Sequence, residues 1–218
     1  MIRLLVVVLG LIAATPAATG ATEQVKPNII FVLIDDLRAD DLGCAGHPFV
    51  MTPNIDRIAR EGARFRNAFA TTPLCSPSRA SILAGEYAHT HGIIDNTERS
   101  AQSHKLNTFP QELQKASYET AFFGKWHMGN DSKPRPGFDQ WYCLQGQGSS
   151  FDPVVSDNGR EVQTKGYVTD LLNAKSIDFI RQKHARPYFL YLSHKAIHPE
   201  TIQRADGSLS DPNASNFI

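Results

Sequence analysis

Residues 28–34 read Asn-Ile-Ile-Phe-Val-Leu-Ile before the chain turns acidic at Asp35-Asp36. Uninterrupted rather than alternating apolarity predicts a strand covered on both faces, as in a parallel sheet. Thr52-Pro53 opens a helix, with Thr52 as N-cap, Pro53 at the first helical position, Ile55, Ile58 and Ala59 on one face, and Gly62 as the stop. A second helix is predicted from about Ser76 through Ile82-Leu83 to Gly85, and a short one from Thr108 to Lys115. Thr120 to Phe123 reads as a buried strand. Tyr167 to Lys183 is the longest helical pattern, with Val168, Leu171, Leu172, Ile177 and Ile180 on its apolar side. After Pro187, Tyr188 to Leu192 reads as another apolar strand.

Residues 129–165 are rich in Gly, Pro, Asp and Ser and lack strong periodicity, which predicts an elaborated loop region. The alternation of strands and helices predicts an α/β fold with a largely parallel sheet flanked by helices. Ligands in such folds bind beyond the carboxyl ends of the strands. Asp35 and Asp36 fall there after the first strand, Lys125 and His127 after the second, and His198 after the third.

Composition narrows the picture mainly by exclusion. The 218 residues carry 22 Lys plus Arg against 22 Asp plus Glu, and no basic cluster marks a nucleic-acid surface. Three cysteines are too few for a disulfide-built scaffold. Residues 1–21 combine a basic start, a short apolar run and a small-residue exit, so they read as a signal peptide for export. The apolar run falls short of the roughly 20 residues that span a bilayer, so no integral membrane protein is expected. Residues 22–218 then form the mature domain.

Two features carry chemistry. Adjacent carboxylates at Asp35-Asp36 repel one another, so a strand end that holds both either binds a cation or uses one as a helix cap and leaves the other solvated. In Cys75-Ser76-Pro77-Ser78-Arg79, a cysteine at a helix N-terminus sits in the positive end of the helix dipole, which favours thiolate and bound anions. Arg79 returns to the same face one turn later and can fork onto an anion.

This pentapeptide matches the C-x-P-S-R signature of the type I sulfatases of the alkaline phosphatase superfamily, in which the cysteine is oxidised to formylglycine. Gly124-Lys125-Trp126-His127-Met128-Gly129 resembles the second signature of that family, and Pro27 to Asp36 resembles its opening strand and metal aspartates. Ser193 to Pro199 resembles the segment bearing a later histidine, with Ile197 in place of the commoner Pro. The likeness covers about residues 27 to 199.

The resemblance implies that Asp35, Asp36 and the converted Cys75 hold one divalent cation, Ca²⁺ in most relatives. It implies that a hydrated formylglycine attacks sulfur while Arg79 and Lys125 neutralise the oxygens. His198 would protonate the departing alcohol or hold the sulfate, and His127 would take the proton that expels sulfate. The implied partners are a sulfated glycan or small-molecule substrate and a formylglycine-generating enzyme. His89 to Asn96 (HTHGIIDN) resembles members acting on 6-sulfated N-acetylglucosamine.

The family pattern includes a second acidic metal pair and a further lysine, so the chain resembles the N-terminal part of a catalytic domain, and activity of these 218 residues alone is not expected. Asp157-Asn158-Gly159 imitates that acidic pair but lies too early in the chain and reads as a turn. His89 and His91 read as structural or substrate-contacting, Lys195 as solvated, and a Cys44–Cys143 disulfide stays open. Two alternatives also stand: a phosphonate or phosphate monoester hydrolase of the same superfamily, and a non-catalytic sulfated-glycan binding module.

Overall fold

A computed structural model describes residues 25–200. The leader pattern at 1–21 lies outside them. Six strands, β1 (Ile29–Ile34), β2 (Glu119–Lys125), β3 (Gln140–Leu144), β4 (Val154–Asp157), β5 (Arg160–Gln163) and β6 (Tyr188–His194), form one sheet in the order β1-β6-β2-β3-β4-β5. The first four in that order run parallel, and β4 and β5 add antiparallel. The helices are α1 (Pro53–Glu61), α2 (Cys75–Ala84), α3 (Ala88–His91), α4 (Ser100–Ser103), α5 (Phe109–Lys115) and α6 (Val168–Arg181).

Period-two alternation sorts the central strands into two cores. Phe122, Phe189 and Tyr191 face α2 and α5, where they pack with Ala80, Leu83, Trp126 and Trp141. Ala121, Phe123, Leu190 and Leu192 face the other way onto Val168, Leu172 and Phe179 of α6. On the first face Phe122 stacks on Trp141 at 4.6 Å and meets Trp126 edge-on at 5.2 Å. Each such aromatic pair adds about 0.5–1.5 kcal/mol to the burial of its area.

The strand and helix order follows the sequence pattern, apart from the short, unexpected helices α3 and α4 and four further differences. β1 is an edge strand with one covered face: Phe31 packs on Tyr191, while Ile30 and Val32 are about half exposed. Among the described residues α6 lies over β2 and β6. Second, residues 129–165 contain β3, β4 and β5 rather than loop alone. These strands are only four or five residues long, too short for a period to stand out among turn residues. Their hairpin turns at Asn158-Gly159, both with positive φ, as a two-residue type I′ connection requires. The turn expected at Asp157-Asn158-Gly159 is therefore present.

Third, the buried stripe of α6 is Val168, Leu172, Ser176 and Phe179, whereas Ile177 and Ile180 face outward. Ser176 hides this stripe from a hydrophobicity reading; its hydroxyl is satisfied by the Leu172 carbonyl at 2.7 Å. Fourth, Ile58 of α1 is exposed and the helix buries no residue. Thr52 still organises its start, accepting from the Gly43 amide and donating to Asp56.

Candidate active site

β1, β2 and β6 are neighbours in the sheet, so their carboxyl ends deliver Asp35, Lys125 and the Ser193–His198 segment to one edge. Gly124 makes this convergence possible. Its φ is +124°, and a Cβ there would overlap the Ser193 carbonyl of β6. Beyond the strands, Asp35 N–H donates to Ala196 O at 2.9 Å and Ile197 N–H donates back to Asp35 O at 2.8 Å. These two bonds tie the turn bearing His198 to the end of β1.

Helix α2 enters from the other side with Cys75 as its first residue. Its N-terminal turn is fixed by the Asn96 side chain, which accepts from Ser76 N–H at 2.9 Å, and by the Ser76 hydroxyl, which donates to the His127 carbonyl. One turn on, Arg79 is 3% exposed and spans the strand ends. It donates to Asp35 Oδ1 (2.9 Å), to Lys125 O (2.7 Å) and to Ser193 Oγ (2.6 Å). Lys125 Nζ donates to Asp35 Oδ2 and lies 3.9 Å from Cys75 Sγ.

One carboxylate thus faces two cations in a buried site. Burial pushes the Asp35 carboxyl up, but the charges of Arg79 and Lys125 outweigh it and hold the group below the ordinary carboxylate range. Lys125 is fully buried, and its pKa falls because burial and the Arg79 charge outweigh Asp35. The cluster carries an excess of positive charge beside Cys75, which suits an anion.

His198 donates from Nδ1 to the Pro199 carbonyl at 2.7 Å, which leaves Nε2 facing Asp36 at 3.8 Å and Gln147 at 3.5 Å. Burial lowers its pKa first, Lys125 lowers it further, and Asp35 and Asp36 only partly oppose this. Asp36 adopts a left-handed φ of +58° and keeps its side chain half exposed. His127, also left-handed, is buried. Asp35, Asp36, Cys75, Ser78 and Arg79 line a cleft of about 240 Å³.

Ligand atoms of Asp35, Cys75 and His198 lie within 4.8 Å of one another. Two donors on opposite sides of a cation at about 2.4 Å have that spacing, which is the Ca²⁺–oxygen range. Asp35 Oδ1 accepts from Arg79 and Oδ2 from Lys125, and a carboxylate oxygen with one such bond retains acceptor capacity. Thiol and imidazole are poor partners for a hard cation, so an oxygen in place of Cys75 Sγ improves the set; His198 stands in this group where the sequence reading had Asp36, whose carboxylate is not among the three.

Other candidate residues fall elsewhere. His91 accepts from Ile93 N–H through Nδ1 and so donates from Nε2 to Ser81 Oγ at 3.0 Å, a structural tie between α3 and α2. His89 stacks on Tyr87 at the surface. Cys44 and Cys143 are both free thiols. Lys195, expected in solvent, is 1% exposed and paired with Glu200 at 3.0 Å. Ser76, Asn96, Gln147 and Ser193 were not anticipated as site residues. Ser76 sits inside the C-x-P-S-R motif and Ser193 opens the histidine segment, but a hydroxyl's partners follow only from the sheet order.

The family model described as Sulfatase matches residues 27–213. The chain belongs to the sulfatase family. This sulfatase chain is 41% identical over 180 residues to an N-acetylglucosamine-6-O-sulfatase of Bacteroides thetaiotaomicron, covering 81% of the chain and 31% of the relative. It is 33% identical over 228 residues to the N-acetylgalactosamine-6-sulfatase of Rattus norvegicus, covering 87% and 42%. A solved structure in complex with its substrate D-glucosamine-2-N,6-O-disulfate matches with TM-score 0.73 and 38% identity, over 81% of this chain and 36% of that one. The sulfatase chain therefore spans about a third to two fifths of the length of these relatives.

Proposed function

We propose that this chain carries the nucleophile, anion-binding and proton-transfer residues of an exported sulfuric ester hydrolase that acts on a sulfated glycan or a smaller sulfate ester. The observation that carries the reading is the meeting of Cys75, at the start of α2, with two buried cations that share a single carboxylate. Named relatives at 41% and 33% identity act on 6-sulfated amino sugars, which favours sulfate over phosphate esters.

Oxidation of Cys75 to formylglycine supplies an aldehyde whose hydrate offers an oxygen nucleophile. Asp35, Asp36 and the oxygen of residue 75 would hold a divalent cation, Ca²⁺ by family resemblance, which supplies charge to polarise that oxygen and the sulfate. Arg79 and Lys125 hold sulfate oxygens at the helix N-terminus, where preorganised positive charge stabilises developing negative charge. Ser193 and the Lys125 carbonyl fix the Arg79 guanidinium so that it spends no orientation entropy during the reaction.

His198 protonates the leaving oxygen through Nε2. An arriving anion offsets the Lys125 charge that depresses this imidazole, so substrate itself raises the fraction of the acid form. His127, whose backbone carbonyl is bonded to the Cys75 helix through Ser76, takes the proton from residue 75 in the second half-reaction.

The complete protein, produced with a formylglycine-generating enzyme, tests this. Peptide mass spectrometry should find an aldehyde at residue 75, and aryl sulfate should turn over faster than aryl phosphate. Cys75→Ala should abolish turnover, and Arg79→Ala should reduce it by about 10²–10³-fold. An unmodified thiol throughout, or faster phosphate turnover, overturns the reading.

A further inference from the structure

His198 sits on a turn that a buried lysine closes. The turn follows β6, and Lys195 at its start donates to Glu200 Oε2 at its end at 3.0 Å. Lys195 also donates to Ser150 Oγ at 3.3 Å and lies 3.5 Å from the Pro199 carbonyl. Ser150 gives the same Glu200 oxygen two more bonds, from its N–H at 3.0 Å and from its hydroxyl. Neither Lys195 nor Glu200 lines the cleft that holds Cys75.

The two ends of the turn are anchored differently. Its first half is held through the backbone: Asp35 bonds Ala196 and Ile197, and His198 N–H donates to the Lys195 carbonyl at 3.0 Å. Pro199 and Glu200 lie beyond those bonds, and the Lys195–Glu200–Ser150 group ties them down. The Pro199 carbonyl is the one that accepts from His198 Nδ1 at 2.7 Å. A carbonyl only accepts, so Nδ1 keeps its proton in both charge states of the ring, and Nε2 gains and loses one. A free neutral imidazole favours the opposite tautomer.

We propose that Lys195, Glu200 and Ser150 form a brace that holds the Pro199 carbonyl against His198 Nδ1, which makes them positioning residues for proton transfer to the leaving alcohol. The proposal rests on the sulfatase reading of the neighbouring cleft. In that reading Nε2–H gives its proton to the ester oxygen as that oxygen takes the electron pair of the breaking S–O bond. A buried ion pair adds little net stability over apolar side chains of the same volume, so its use here is to select one geometry. A ring misplaced by about 1 Å loses about 10²-fold in rate.

Two readouts test the brace. In the full chain, nitrogen-15 shifts of the neutral His198 ring report which nitrogen carries the proton. The parent should hold it on Nδ1, and Lys195→Met should move the population toward Nε2. In the complete enzyme carrying formylglycine, phenyl sulfate has a poor leaving group that needs an acid, whereas para-nitrophenolate leaves as a stable anion. Lys195→Met should lower kcat/KM about 10- to 100-fold for phenyl sulfate and less than about threefold for para-nitrophenyl sulfate. Lys195→Arg, which keeps the charge, should recover most of the loss, and in a His198→Ala background Lys195→Met should leave the ratio of the two substrates unchanged. Glu200→Gln repeats both readouts if circular dichroism shows Lys195→Met unfolded. An unchanged tautomer, or equal losses on the two esters, overturns the proposal. A parent that turns over neither ester removes the sulfatase reading, and the tautomer still decides whether the brace holds the ring.

Discussion

Removing Asp35 and removing Lys125 should have opposite consequences for stability, because the buried cluster holds two positive charges against one negative. The Asp35, Arg79 and Lys125 side chains are 7%, 4% and 0% exposed. Asp35→Asn leaves two cations facing a neutral amide, and breaking a buried pair in this way costs about 3–5 kcal/mol. Lys125→Met removes a charge that burial and Arg79 already disfavour and leaves Arg79 and Asp35 as a balanced pair bonded at 2.9 Å. Its stability should lie within about 1 kcal/mol of the parent or above it. Urea unfolding at pH 7 in EDTA, followed by circular dichroism, reads the difference. With a slope of about 1–3 kcal/mol per molar urea, the two variants should differ in midpoint by about 1 M or more. Inorganic sulfate should stabilise the parent, by about 2.7 kcal/mol at a hundredfold excess over its dissociation constant, and should stabilise Lys125→Met less. If Lys125→Met falls as far as Asp35→Asn, the excess positive charge is not the strained element and the anion-site argument fails.

Three further outcomes follow from the geometry. His184 bonds Glu119 through Nδ1 and the Phe179 carbonyl through Nε2, both at 2.8 Å; burial lowers its pKa, but the Glu119 bond and charge outweigh it and raise the value above 6.5. Its contribution should be full below about pH 6.5 and lost as pH rises through the raised value, so the urea midpoint should fall between pH 6 and 9, and Glu119→Gln should flatten that slope. Gly124→Ala places a methyl against the Ser193 carbonyl at a positive φ, and a loss of at least about 1–3 kcal/mol is expected in the same unfolding assay. The Cys143 thiol is fully buried, which pushes its pKa up to about 12, so in the chain made without the formylglycine-generating enzyme dithiobis-nitrobenzoate at pH 8 should label two of the three cysteines when folded and all three in urea.

Much of the site was readable along the chain because its chemistry is concentrated in short motifs at strand and helix ends. Asp35-Asp36, Cys75 to Arg79, and Lys125 to His127 each follow or begin an element that its own hydrophobic pattern announces. The helix stop at Gly85 and the type I′ turn at Asn158-Gly159 were equally plain, since both demand backbone conformations that few residues adopt. Less was readable where a polar residue does an apolar residue's job. Ser176 on the buried stripe of α6, and Lys195 buried against Glu200, are polar groups whose partners lie in the fold rather than in the adjacent sequence.

The sequence by itself determined the α/β class, the positions of the main elements and the residue types gathered at the candidate site, because these depend on local periodicity, capping and motif spacing. The tertiary structure alone decided which strands are neighbours. The placement of β6 between β1 and β2 brings Ser193 and His198 to Asp35 and Lys125. It also leaves β1 at an edge. The physical reason is that pairing across 46 to 114 residues, as in the Arg79 bonds to Lys125 and Ser193, is fixed by burial of two sheet faces at once, and no local window of sequence contains both partners.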